Sequence, residues 1–113
     1  MQGLLDLGAP DAQIPEQIGP DAWLLRGFAL KDADALLAGI EQVAAQAPFR
    51  HQVTPGGYQM SAAMSSCGAY GWVTDRHGYR YSALDPQSNQ PWPTMPALFG
   101  ELAERAARSA GFA

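Results

Sequence analysis

Turn-forming residues recur at short intervals through the middle of the chain and limit what this region can fold into. The turn signals, spread over residues 52–86, are Pro55-Gly56-Gly57, Gly68, Gly71, His77-Gly78 and Asp85-Pro86. The segments between them have the length of short strands, which predicts hairpins. We expect strands at 57–60, 64–69, 71–74 and 79–83, with the tightest turn at 75–78. Residues 84–93 are expected to be an extended loop, because their prolines lack the backbone donors of a central strand.

The segments on either side of these turns favour two helices and one strand. Residues 22–28 are a short apolar run, predicted as a buried strand. From residue 31, apolar side chains recur at helical spacing until Pro48 stops the helix. A second helix is predicted from Pro96 to Gly111. Residues 1–21, with three prolines, are expected to form an irregular leader. The fold class is therefore α+β, with two helices packed on short antiparallel strands.

Length and charge exclude several classes of protein. A length of 113 residues is typical of one domain. The net charge of −4 argues against tight binding to nucleic acid irrespective of its sequence. Its single cysteine cannot form an internal disulfide, which favours a reducing compartment. No segment approaches the length of an apolar membrane span, so we expect a cytoplasmic protein without membrane contact.

The residues that could carry catalysis or bind a metal are poorly arranged for either task. A thiol-imidazole pair is available in Cys67 and His77, with Asp75 nearby, but Cys67 lies in a predicted strand, where a buried, inert thiol is usual. Neither His51 nor His77 begins the His-x-Asp pair that is typical of mononuclear iron oxygenases. We therefore predict no catalytic residue and no metal ligand in this chain.

Residues 50–96 instead suggest recognition of a flat, anionic ligand. This stretch holds all four tyrosines, two of the three tryptophans and three of the four methionines, and the charges of residues 50–81 sum to +2. Trp72 could stack on a base or close the core, and composition alone favours the core. Met60 and Met64 have the parity of one strand face and could flank Trp72, although core filling is the alternative. Tyr79 and Tyr81 are expected on one face of their strand, with Arg80 on the other.

At this point the sequence resembles a known family. Residues 49–96 read FR-x-x-VTPGGY-x-MS-x-AM-x-x-CG-x-x-GW-x-T-x-R-x-GY-x-YS-x-x-DPQ-x-N-x-PWP-x-MP, a run similar to the N-terminal part of bacterial AlkB-type alkylated-DNA repair dioxygenases. The similarity extends from about residue 23 to residue 111. It implies an enzyme that uses Fe(II) and 2-oxoglutarate to hydroxylate methyl groups on 1-methyladenine and 3-methylcytosine, which then lose formaldehyde.

The resemblance also implies roles for individual residues. In the family this region is a nucleotide-recognition lid over the mouth of a double-stranded β-helix, a jelly roll. By motif position, Trp72 would stack on the flipped damaged base, and Tyr79 would bond a backbone phosphate beside Arg80 and Tyr81. The residues expected to line the lid are Thr54, Met60 and Met64. The partner would be alkylated single- or double-stranded DNA, with RNA left open.

The family's iron ligands and 2-oxoglutarate arginines lie in a jelly-roll core that has no counterpart here. We therefore expect residues 22–113 to be the N-terminal helices and lid of a larger protein, with the hairpins at about 50–96, inactive alone and binding neither iron nor 2-oxoglutarate. The alternatives are a stand-alone module for single-stranded nucleic acid and an inactive remnant. Full-length members of the family are monomers, whereas an uncovered apolar face on this chain would promote self-association.

Overall fold

The structure is a computed structural model that describes residues 14–112. Its elements are β1 (Glu16–Gly19), β2 (Ala22–Leu24), a 3-10 helix (Leu30–Asp32), α1 (Ala33–Gln46), β3 (Arg50–Val53), β4 (Gln59–Met64), β5 (Gly71–Asp75), β6 (Gly78–Ser82), β7 (Leu84–Asp85), β8 (Gln90–Pro91) and α2 (Ala97–Ser109). Within the described residues the strands form four antiparallel pairs, β1-β2, β3-β4, β5-β6 and β7-β8. The chain divides into two compact units, one including 14–36 and 97–112 and the other consisting of 37–96.

The first unit contains a hairpin, the 3-10 helix and α2. Arg105 of α2 donates to Asp32 at 3.1 Å, and its guanidinium lies 5.8 Å from the centre of the Phe28 ring. The prediction of a buried strand over 22–28 was wrong in length and burial, because the strand ends at Leu24 and Trp23 is 37% exposed. Strand β1 lies within residues 1–21, which were expected to be irregular; it pairs with β2, a partner that local sequence does not reveal. Residues 1–13 lie outside the described part of the chain.

The second unit is built around a small core of Ala47, Val73 and Trp92, all less than a tenth exposed. The Trp92 indole N–H donates to the carbonyl oxygen of Ser82 at 2.8 Å. The Arg50 guanidinium lies 5.5 Å from the centre of the Trp92 ring. The Trp92 indole is therefore fixed both by the hydrogen bond of its N–H and by the cation on its face. Trp92 lies in residues 84–93, which the sequence predicted to be an extended loop.

The hairpins of this unit follow the predicted turns more closely than the predicted strands. Strands β5 and β6 and the turn between them are confirmed, with Trp72 opposite Tyr81 and Thr74 opposite Tyr79. Strand β3 was not predicted; its ladder to β4 carries an irregularity near His51. The expected strand at 64–69 was wrong, since residues 65–70 are irregular, and the loop at 84–93 contains the two-residue pair β7-β8.

Both predicted helices are confirmed, and with the hairpins they establish an α+β class. Helix α1 ends at Gln46, two residues before Pro48. After α2 the chain turns at Gly111, whose φ of +91° is the left-handed conformation that glycine adopts most readily. No helix in residues 14–112 has the length and apolarity needed to cross a bilayer.

Candidate nucleic-acid interface

One face of the β5-β6 hairpin carries a group of partly exposed aromatic side chains. Because alternate residues of a strand share a face, the register places Trp72, Tyr79 and Tyr81 together; we call them the aromatic face. The rings of Trp72 and Tyr79 stack with centroids 5.7 Å apart and planes inclined by 22°. Trp72 is half-buried, whereas Tyr79 and Tyr81 are 61% and 75% exposed. The aromatic face therefore combines a half-buried indole with two solvent-accessible phenol rings.

The opposite face of the hairpin holds Arg80 in an ion pair. Its guanidinium donates to both carboxylate oxygens of Asp75, each at 2.9 Å. These bonds, with a further one from the His77 backbone N–H, lower the pKa of Asp75 to about 2. In return Asp75 raises the pKa of Arg80. Arg80 thus lies on the other side of the strand from Tyr79 and Tyr81, as expected, but its charge is balanced within the hairpin.

Arg76, at the tip of the same hairpin, is the cation that remains unbalanced. Within residues 37–96, Arg50 pairs with Asp85 and Arg80 with Asp75, while Arg76 has no carboxylate within salt-bridge distance. A Cβ atom added to Gly57 would lie 3.1 Å from the Arg76 Nη2 atom, so the guanidinium lies directly over that glycine. The positive charge that the sequence suggested for this region is therefore concentrated on one exposed side chain.

Thr54 begins the turn that contains Gly57. Its hydroxyl accepts a hydrogen bond from the Tyr58 N–H at 3.1 Å, and its carbonyl oxygen accepts one from the Gly57 N–H at 2.8 Å. Gly57 has a φ of +90°, which the turn requires and which other residues rarely adopt. Thr54 therefore shapes the turn on which Arg76 rests and leaves the Tyr58 ring 77% exposed.

The two methionines predicted to line the site both belong to β4 and are half-buried. Met64 lies opposite Arg50 in the ladder, and the Met60 carbonyl oxygen is 3.0 Å from the His51 Nδ1 atom. The structure thus brings Trp72, Tyr79 and Tyr81 together on one face. It places Thr54 in a turn, the methionines on the neighbouring hairpin and Arg80 on the opposite face.

Sequence reasoning missed Gln52 and gave Thr74 no role. The Gln52 side-chain amide bonds to the β5 backbone on either side of Val73, which the spacing of polar residues could not reveal. Thr74 lies on the same side of β5 as Trp72 and is 3% exposed. Its hydroxyl has no hydrogen-bond partner among residues 14–112.

Neither nucleophile nor metal chemistry gains support from the arrangement of donors. Cys67 is half-buried in the irregular segment after β4, not in a strand, and burial raises the pKa of its thiol. In the part of the chain that the structure describes, no three side chains of the His, Cys, Asp and Glu types are grouped so that they could hold a metal ion. The described donors therefore do not fit an iron site.

Comparisons with known proteins agree with the family expectation. The sequence model of the 2OG-Fe(II) oxygenase superfamily matches residues 21–113. The chain is 51% identical over 110 residues to the alpha-ketoglutarate-dependent dioxygenase AlkB of Salmonella typhimurium, covering 97% of this chain and 51% of that protein. It is 50% identical over 109 residues to the protein of the same name from Escherichia coli K12, covering 96% and 50%.

A more distant relative is an AlkB homolog of Caulobacter vibrioides, 44% identical over 69 residues, which are 61% of this chain and 30% of that protein. The chain spans about half the length of the first two relatives.

Proposed function

We propose a function for this chain on the basis of its family: it belongs to the 2OG-Fe(II) oxygenase superfamily and is of the AlkB type. In this proposal the chain provides the substrate-recognition portion of a DNA-repair oxidative demethylase. The substrates are N-methylated bases in DNA, such as 1-methyladenine and 3-methylcytosine, and the methylated base is flipped out of its stack. Chemistry on a ring nitrogen's methyl group requires this extrusion, since the atom is inaccessible inside a duplex.

The stacked Trp72-Tyr79 pair is the observation that carries this proposal. A base needs a flat, rigid apolar partner, and stacking on an aromatic side chain contributes roughly 1–3 kcal/mol. Trp72 is half-buried, so the protein already fixes its orientation and little side-chain entropy is lost when a base binds. Tyr79 supports one side of the indole at 5.7 Å, which leaves the remaining exposed surface for the ligand.

Phosphate contacts would come from the exposed polar groups around that ring pair. The hydroxyls of Tyr79 and Tyr81 are carried on rings that are 61% and 75% exposed, and Tyr79 is the proposed donor to the backbone phosphate. Arg76 adds a guanidinium that forms no salt bridge with any carboxylate of residues 14–112. Arg80 is proposed to contribute to phosphate binding from the opposite face of the hairpin, although Asp75 already balances its charge. Thr54 shapes the adjoining turn, while Met60 and Met64 are proposed to line the apolar side of the lid.

Iron and 2-oxoglutarate are proposed cofactors of the whole protein and not of the residues described here. Since the described donors do not fit an iron site, the role assigned to this chain is binding and orientation of the nucleotide. The 113-residue chain, supplied with iron and 2-oxoglutarate, is expected to release no formaldehyde from methylated DNA. Formaldehyde release above a control without iron would refute this division of roles.

The base-stacking role of Trp72 predicts a specific change in fluorescence and affinity. A single-stranded oligonucleotide with one 1-methyladenine should quench the tryptophan emission of the chain, and Trp72→Phe should abolish the quenching. Trp72→Ala should weaken binding about tenfold, within the range for loss of one stacked base. Fluorescence titration and anisotropy measure the two effects.

Trp23 provides the matched control, since it is also partly exposed but lies in the other unit. The Phe and Ala substitutions at this position should leave quenching and affinity unchanged. Equal losses at the two positions would contradict a stacking role for Trp72. Equal affinity for the unmethylated oligonucleotide would instead favour the stand-alone nucleic-acid-binding module.

Arg80 is ion-paired with Asp75, whereas Arg76 forms no salt bridge among the described residues, and this difference predicts different salt dependences for their variants. Arg76→Gln should reduce the slope of log K against log salt concentration by about 0.7, the value for one phosphate contact on single-stranded DNA. Arg80→Gln should change the slope less, because Asp75 already neutralises that guanidinium. Anisotropy titrations at several salt concentrations test this, and a larger change for Arg80→Gln would reverse the assignment.

A further inference from the structure

The side-chain amide of Gln52 joins the two hairpins of the second unit. Its Oε1 atom accepts a hydrogen bond from the Thr74 backbone N–H at 2.8 Å, and its Nε2 atom donates to the Trp72 carbonyl oxygen at 3.4 Å. Gln52 belongs to β3, whereas Trp72 and Thr74 belong to β5. Among residues 14–112, these are the hydrogen bonds that connect the β3-β4 hairpin with the β5-β6 hairpin.

These bonds occupy the edge of β5 that faces away from β6. In an extended strand the carbonyl of one residue and the N–H of the residue two positions later lie on the same edge, where a neighbouring strand would normally bind them. No such strand pairs with β5 on this edge in the described part of the chain. An amide has one acceptor oxygen and two donor hydrogens, so a single glutamine side chain supplies the donor and the acceptor that one residue of a parallel neighbouring strand would supply.

The bonded groups belong to the backbone of β5, the strand that contributes Trp72 to the aromatic face. Gln52 bonds the carbonyl of the same residue whose indole stacks on Tyr79, and the N–H of Thr74, the cross-strand neighbour of Tyr79. Thr74 is 3% exposed, so removal of the amide takes the acceptor from an N–H in a buried residue. Loss of that acceptor therefore disturbs the backbone directly beneath the stacked pair.

We propose that Gln52 is a positioning residue for base recognition, which fixes the backbone of Trp72 and so the orientation of the indole that receives the base. The inference rests on the function proposed above. In this inference Gln52 does not contact the nucleotide. It acts only through its hydrogen bonds to the backbone of β5, the strand that carries Trp72.

Amide hydrogen exchange tests, without any ligand, whether the hydrogen bonds of Gln52 stabilise the backbone of β5. In Gln52→Met, which keeps the length of the side chain and removes both bonds, the Thr74 amide should exchange about tenfold faster, as expected for the loss of a buried hydrogen bond. In Gln52→Glu the carboxylate still accepts from Thr74, so exchange of that amide should rise less. The Gly68 amide, which donates to Pro93 at 2.8 Å in the same unit, should be unchanged.

Gln59→Met is the control substitution, because Gln59 is exposed on the adjacent strand. Thr74 exchange that stays at the wild-type rate in both Gln52 variants would overturn the proposal. Unfolding of both variants would also overturn it, because Gln52 would then support the whole unit and not one strand.

A double-mutant cycle then tests whether Gln52 acts through Trp72. Gln52→Met should weaken binding of the 1-methyladenine oligonucleotide about fivefold in the wild type and have little effect in a Trp72→Ala background, since residues that act through one another are not additive. The same fivefold loss in both backgrounds would overturn the inference while leaving the stacking role of Trp72 intact. If Trp72→Ala alone has no effect on affinity, the proposed function fails first and independently of Gln52.

Discussion

Replacing Gly71 by alanine is expected to lower the free energy of unfolding by about 3 kcal/mol, the upper part of the usual range for overpacking a core. Gly71 begins β5 and lies against Trp92. An added Cβ atom would lie 2.7 Å from the Ser66 Cβ and 2.7 Å from the Trp92 Cζ2, distances that real Cβ atoms do not tolerate. One of the three residues would therefore have to move.

The surroundings of Trp92 explain why that movement is costly. The indole is 6% exposed, donates to the Ser82 carbonyl at 2.8 Å and lies beneath the Arg50 guanidinium. Rotation away from a new methyl group would break the hydrogen bond and the cation–π contact together. Displacement of β5 would instead move Val73, another member of the same core.

Gly100→Ala is the matched control for this prediction. Gly100 lies within α2, and an added Cβ atom would meet nothing within 4 Å. Since alanine is a better helix former than glycine, this variant should gain about 0.5–1 kcal/mol. Urea unfolding followed by circular dichroism measures both variants, and a Gly71→Ala protein as stable as the wild type would contradict the packing argument.

Local chemistry was enough to predict the turn at residues 75–78 and both α-helices of this chain. The turn at residues 75–78 and the end of α1 before Pro48 depend on residues adjacent in sequence, so the sequence carries their signals directly. Strand β3 has no comparable signal, because it is stabilised by pairing with β4 and by the bonds of Gln52 to β5. Pairing between segments is a property of the fold and not of either segment alone.

The sequence predicted which residue types form the candidate site, but not which tryptophan lies in the core or which arginine is ion-paired. Composition favoured a core position for Trp72, yet Trp92 occupies the core and Trp72 is half-buried beside Tyr79. The two are distinguished by their neighbours, since only Trp92 lies where Gly71 leaves room for its ring. Likewise the count of positive charges did not reveal that Arg80 is neutralised while Arg76 remains available.

Replacing Asp85 by asparagine is expected to cost about 3 kcal/mol at pH 7, the lower part of the range for breaking a buried ion pair. Asp85 accepts two hydrogen bonds from the Arg50 guanidinium at 2.7 and 2.9 Å, with 3% of its side chain and 10% of that of Arg50 exposed. Asparagine keeps the shape but leaves the guanidinium without a counter-ion. The control is Glu16→Gln, whose exposed partner Arg26 is 3.4 Å away, and which should change stability by less than about 1 kcal/mol.

The same pair sets the pH range over which the Asp85→Asn effect should be seen. Hydrogen bonding to Arg50 lowers the pKa of Asp85 in the folded protein. The stabilisation is therefore complete above the carboxyl pKa of the unfolded chain, about 3.9, and is lost as the pH falls through the lower folded-state pKa. Asp75, whose pKa is about 2, also titrates in acid but is present in both proteins, so its contribution cancels in the comparison. The stability difference between wild type and Asp85→Asn, measured by urea unfolding, should stay constant from pH 7 to about pH 5 and shrink below that. A difference that persists unchanged in acid would mean that asparagine disturbs packing and not charge.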